Sequence, residues 1–133
     1  MLYTVGYQKF TLETFIAELK HHRIELLVDV RTRPYSRKPE FNRNQLQPAL
    51  ERAGIEYAWE GKCLGGLSGH REDCYEERLV WLLEMARSEL VCIMCMEHDA
   101  KDCQRGQWIA EDVAKQGIQV KHLPAPTEVQ RKL

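Results

Sequence analysis

Two short runs constrain the fold more than any other feature of the chain: IELLVDV at residues 24–30 and ELVCIMCME at 89–97. Each is apolar at consecutive positions over a strand's length, so a strand made from it has oily side chains on both faces. Such strands need cover on both sides, which is the habit of parallel sheets. Three further β-type runs are LYTVGY (2–7), IEYAW (55–59) and IQVKHL (118–123).

Helical periodicity fills the gaps between these runs. TLETFIAELKHH (11–22) puts Leu12, Phe15, Ile16 and Leu19 on one face behind a possible N-cap at Thr11. NQLQPALERAG (44–54) reads as a second helix, with Pro48 expected only near its start and Gly54 as its stop. CYEERLVWLLEMARS (74–88) aligns Tyr75, Leu79, Leu82, Leu83 and Ala86 in one stripe. DCQRGQWIAEDVAKQG (102–117) can be capped by Asp102 and stopped by Gly117. Five alternations predict a single three-layer, Rossmann-like α/β domain over residues 1–123, with a mostly parallel sheet of about five strands. Residues 124–133 read as an extended or frayed tail. Crossovers are expected to be right-handed, and strand order is not readable from the sequence.

In such a sheet the loops after the strands share one rim, where ligands bind. Four segments fall there: Gly6-Tyr7, the stretch after Asp29, residues 61–71 and residues 97–102. The second carries most of the unusual chemistry. Between Arg31 and Arg43 it holds five basic residues against one acid, Glu40, in a chain with 19 Lys plus Arg and 20 Asp plus Glu. A formal charge of -1 gives no global attraction to nucleic acid or a membrane, so any anion affinity must be local. Strand-like alternation would aim Asp29, Arg31 and Arg33 to one side, with the carboxylate orienting a guanidinium. Arginine forks suit phosphate or carboxylate. Ser36 adds a hydroxyl, Tyr35 and Phe41 offer ring faces, and Pro34 and Pro39 limit the loop's freedom. The competing reading is a solvated loop whose arginines pair with acids elsewhere.

The five cysteines are an odd number without disulfide-framework spacing, which suits a reducing cytoplasm. No signal peptide is expected from the N-terminal residues and no apolar run reaches membrane-spanning length, so no membrane partner is expected. Cys92 and Cys95 lie on one predicted strand and should face opposite ways, with Cys92 in the core. Cys103 falls in the first turn of a helix, where a thiolate is favoured, and Arg105 lies two residues on. Glu97, just past the fourth strand, is a candidate acid or base. The plain alternative makes Cys103 a small packing residue and Arg105 a surface charge. Cys63, His70 and Cys74 are close enough to raise a zinc site, but no four-ligand pattern completes it, and no metal is assigned. LGGLSG (64–69) lacks the glycine pattern of dinucleotide sites and the lysine of a P-loop, so no cofactor is expected.

Taken in order, TVGYQ, LVDVRTRPYSRKPEFN, GIEY with LGG, VCIMCMEHDAKDCQR and GIQVKHL resemble the family called domain of unknown function 488, over residues 2–123. The resemblance implies a small α/β domain, usually standing alone in bacteria and archaea, with no agreed activity and a loose link to DNA metabolism. The matching positions are Asp29, Arg31, Pro34, Ser36, Arg37, Phe41 and Asn42, then Leu64, Gly65 and Gly66, then Cys95, Glu97, Cys103 and Arg105. Gln104 stands where the family usually has histidine, and Gly6-Tyr7-Gln8 where it often has Gly-His-Ser. A mechanism needing an imidazole at either place has none here.

The reading that results is an enzyme-like pocket for a phosphate-bearing small molecule or a nucleic-acid fragment. Asp29, Glu97 and Cys103 are its catalytic candidates, and Arg31, Arg33, Ser36, Arg37, Asn42, Gly65, Gly66 and Arg105 its binding candidates. A non-catalytic nucleic-acid-binding or DNA-metabolism accessory module is the rival. The acidic character of YEERLVWLLE (75–84) and WIAEDV (108–113) favours a pocket over a duplex-tracking face. A cysteine-based redox or metal protein is the third reading and requires the sulfurs to converge.

Overall fold

The structure is a computed structural model that describes residues 1–65, 71–95, 104–124 and 126, with the backbone alone at 104–106. Five parallel strands, β1 (Leu2–Gly6), β2 (Leu26–Asp29), β3 (Glu56–Trp59), β4 (Val91–Cys95) and β5 (Val120–His122), form one sheet in the order β3-β2-β4-β1-β5. The helices are α1 (Leu12–His21), α2 (Arg43–Arg52), a short α3 (Gly61–Leu64), α4 (Tyr75–Ser88) and α5 (Gln104–Lys115), with a 3-10 turn at Pro39–Phe41. Among the described helices none is long and apolar enough to cross a membrane. The tail expected over 124–133 lies outside the described residues except at Pro124 and Pro126.

Every residue of β2 and β4 is buried, as their unbroken apolar character requires. Side-chain alternation sorts them into two cores. Leu26, Val28, Val91, Ile93 and Cys95 pack with Leu64, with the stripe of α4 and with Ile109 and Val113 of α5. Leu27, Cys92 and Met94 pack on the other face with Phe15 and Leu19 of α1 and Leu46 and Leu50 of α2. The two strand cysteines therefore do face opposite ways. Burial pushes the Cys92 thiol up, which keeps it protonated and inert.

Helix boundaries follow local chemistry. Thr11 caps α1 in a reciprocal pair with Thr14. Gly54 ends α2 with φ 80°, and its N–H and that of Ile55 satisfy the carbonyls of Glu51 and Leu50. Arg23 takes the same left-handed role after α1 with φ 58°, without glycine's freedom. Pro48 departs from expectation by sitting well inside α2. The carbonyl it leaves without a donor belongs to Asn44, and both residues are exposed, so solvent can serve that group.

The topology creates the rim. From β2 the chain moves to β3 over the α1/α2 face, whereas from β4 it moves to β5 over the α5 face. Neighbouring strands whose connections diverge in this way leave a crevice at their C-terminal ends, and here those strands are β2 and β4.

Candidate functional site

Asp29 ends β2 with no exposed surface and anchors the start of the basic loop. Its Oδ1 accepts from the Arg31 backbone N–H at 3.1 Å and from Arg31 Nε at 2.8 Å. Its Oδ2 accepts from Arg31 Nη2 at 2.7 Å and from the Tyr57 hydroxyl at 2.6 Å. Four donors on two oxygens satisfy the carboxylate, so Asp29 holds Arg31 in a bidentate fork. Arg31 is itself 3% exposed and lies over the Tyr7 ring at 5.2 Å. Burial alone would lower its pKa, but the bonds and charge of Asp29, followed by those of Tyr7, together raise it. Burial first, and then the Asp29 charge, push the Tyr57 phenol up as well. Arg31 Nη1 is buried and has no hydrogen-bond partner among the described residues.

The next residues do not continue the strand. Arg31 is buried but Arg33 is exposed, which corrects the expectation that Asp29, Arg31 and Arg33 share one side. The alternation stops because β2 ends at Asp29 and the chain bends, with Tyr35 N–H closing back on Arg33 O at 2.8 Å. The loop is then fixed from several sides. Arg43 N–H donates to Pro34 O at 3.0 Å, Ser36 N–H to Asn42 Oδ1 at 2.5 Å, and Lys38 N–H to Ser36 Oγ at 3.0 Å. Lys38 Nζ donates to the carbonyls of Gln8, at 3.0 Å, and of Phe10. Asn42 and the Ser36 oxygen are thus used to shape the loop.

On the other side of Arg31, its carbonyl accepts from Trp59 Nε1 at 2.8 Å. A Cβ on Gly61 would sit 1.9 Å from that carbonyl oxygen, and one on Gly65 would sit 2.3 Å from Thr32 Oγ1. The smallness of Gly65, a binding candidate from sequence, is therefore required by close chain approach. Cys63 and Cys74 are joined in a disulfide with Cα atoms 5.1 Å apart, tying α3 to the residue before α4. This corrects the expectation of unpaired cysteines and takes two sulfurs out of the zinc reading. The eleven-residue separation gave no framework pattern, because only the return of α4 beside α3 brings these positions together. Among the described residues no three His, Cys, Asp or Glu side chains group as a metal site would need.

Between the loops after β1 and β2 lies an open cleft of about 840 Å³. Tyr7 and Gln8 line one side, and Tyr35, Ser36, Arg37 and Lys38 the other. Among the described residues Arg33 and Arg37 form no ion pair, and Arg43 instead lies over the rings of Tyr57 and Trp59 at 5.7 and 5.6 Å. Glu97, Cys103 and Gly66 lie outside the described residues, as does the Arg105 side chain. Sequence reading did not single out Gln8, Lys38, Tyr57 or Trp59 as parts of this arrangement. Tyr57 lies diagonally across from Asp29 in the β2–β3 register, a pairing with no local signal.

Fold and rim together define a class: a doubly wound α/β domain with a basic cleft at the strand C-termini. The chain belongs to the family described as domain of unknown function DUF488, whose model matches residues 11–81, more than half of its length. That stretch includes the basic loop and ends within α4, before the segment carrying Glu97, Cys103 and Arg105. No curated protein matches the chain.

Proposed function

We propose that the protein binds a phosphate-bearing ligand, a nucleotide or a nucleic-acid fragment, in the cleft between the loops after β1 and β2. The observation that carries this reading is the charge left over on a rigid loop. In a chain with 20 Asp plus Glu against 19 Lys plus Arg, Arg33 and Arg37 have no acidic partner among the described residues. The loop bearing them is held by hydrogen bonds at Pro34, Ser36 and Lys38. Preorganised cations lose little entropy on binding an anion and keep their full attraction for it.

Each lining residue has a chemical part in this reading. Arg37 supplies the fork for phosphate. Ser36 accepts from Lys38 N–H and still has its own hydroxyl proton to donate. Gln8 offers an amide, and the Tyr7 and Tyr35 rings flank a base or sugar. Arg31, already matched by Asp29, fixes the loop's first turn. Its unpartnered Nη1 is a donor in reserve at the same end of the sheet. Any chemistry on the bound ligand falls to Glu97 for proton transfer and to Cys103 as nucleophile or anchor, both on the connection between β4 and α5.

Titration calorimetry with inorganic phosphate and nucleoside monophosphates tests the reading. Binding should weaken with added salt, though less steeply than for a protein covering many phosphates. Arg37→Ala should weaken it about tenfold, the loss of one charge-assisted contact. No binding at millimolar concentration, or an unchanged Arg37→Ala variant, would mean that the loop is only a solvated turn.

A further inference from the structure

Tyr35 is 72% exposed, the more exposed of the two large apolar side chains that reach solvent among the described residues. An exposed tyrosine on a loop is ordinary by itself. This one is held on both sides, by Arg43 N–H on the carbonyl of Pro34 and by Asn42 Oδ1 on the N–H of Ser36. It also lines two clefts at once. One is the cleft of about 840 Å³ shared with Tyr7, Gln8 and Arg37. The other, of about 310 Å³, lies against Arg43, Asn44 and Gln47 at the start of α2. Both volumes fall in the range of about 300–1,000 Å³ usual for ligand sites. A ring carried on a braced backbone therefore stands between two recesses, with an arginine in each.

From this, and resting on the anion-cleft reading above, we infer that the ligand is single-stranded nucleic acid, bound as at least two consecutive nucleotides astride Tyr35. A single strand alternates aromatic bases with phosphates, and the surface alternates in the same way: Arg37, then Tyr35, then Arg43. One base stacks on the Tyr35 face toward Tyr7, and the next occupies the recess beside Arg43. A base stacks on an aromatic ring whatever its sequence, so this surface grips a strand without reading it. A phosphopeptide would want its arginines gathered on one phosphate, whereas here the two are divided by a ring. A duplex would need a broad basic face, whereas the basic residues here are gathered on one loop, between Arg31 and Arg43.

The test compares thymidine 5′-monophosphate, 5′-phosphorylated dithymidylate and a doubly phosphorylated peptide of equal charge on the whole chain, by calorimetry. Wild-type protein should bind the dinucleotide about tenfold tighter than the mononucleotide, the worth of one stacked base. Arg43→Ala should remove most of that gain while changing mononucleotide affinity less than threefold, and Tyr35→Ala should weaken both ligands and also remove most of the gain. Tyr35→Phe, which keeps the ring, should retain the gain. Because Tyr35 is exposed, its variants should unfold at the wild-type urea concentration, separating lost stacking from lost fold. Mononucleotide binding with no gain for the dinucleotide sinks this inference and leaves the rim cleft standing. A gain that survives Tyr35→Ala, or a peptide that binds as tightly as the dinucleotide, also overturns it. Failure of every ligand to bind overturns both.

Discussion

Around Asp112 of α5, arginine charge is answered within the molecule. Arg71 reaches Asp112 at 3.3 Å, Tyr75 donates its hydroxyl to the same carboxylate at 2.6 Å, and nearby Arg78 forks onto Glu60 at 2.9 and 2.5 Å. On the loop after β2 the fork from Arg31 to Asp29 is the one ion pair among the described residues, and Arg33, Arg37 and Arg43 have none. Aromatic rings do not distinguish the regions. Arg71 lies over Tyr75 and Trp108, much as Arg43 lies over Tyr57 and Trp59. What differs is the balance of charge. A guanidinium on a ring beside its own acid is a structural clasp, whereas arginines without acids on a braced loop carry charge that no described acid answers.

The sharpest break in this comparison comes from removing the one acid that pairs with an arginine of the loop. Asp29→Ala leaves Arg31 charged, buried and without its partner, which should cost about 3–5 kcal/mol in urea unfolding. A loss below about 1 kcal/mol would show that Asp29 does not hold the loop.

Reduction of Cys63–Cys74 comes next, on the α3/α4 side. Opening a link across eleven residues should cost about 3 kcal/mol by the chain-entropy argument. Phosphate affinity should stay within twofold, because the cleft is walled by residues 7–8 and 35–38. A tenfold fall would couple the two regions and blur the contrast between them.

A smaller effect carries a pH signature. Tyr57→Phe removes one hydrogen bond to a buried carboxylate and should cost about 1.5 kcal/mol at pH 7. With its pKa raised above the ordinary 10.0, the Tyr57 phenol keeps its proton in the folded chain while the unfolded chain releases it. Wild-type stability from this group is therefore complete below pH 10 and falls as the pH rises beyond it. The variant lacks that loss, so the two unfolding curves should converge between pH 10 and 11. Parallel curves would show that Tyr57 is not buried against Asp29.

Arg71→Ala should do least. Its pairing with Asp112 is loose and solvent-exposed, so stability should drop by less than about 1 kcal/mol and ligand affinity should not change. A loss of binding here would place the anion site in the wrong region.

The sequence by itself determined what short-range chemistry determines. Apolar runs at β2 and β4 forced covered strands, the spacing of Tyr75, Leu79, Leu82, Leu83 and Ala86 forced the buried face of α4, and Thr11, Gly54 and Gly117 marked helix ends. The Asp29–Arg31 clasp was legible for the same reason, since alternation carried two residues past the strand end puts both on one side. Only the tertiary structure decided the rest. It inserted β4 between β1 and β2, and so set Tyr7 and Gln8 opposite residues 35–38 as walls of one cleft. It brought Tyr57 to Asp29 and Cys63 to Cys74, and it turned Arg33 outward where the strand stopped. Periodicity reports which face of an element is buried. Which elements become neighbours depends on how helices fill both faces of the sheet at once, a condition on the whole chain that no local stretch encodes.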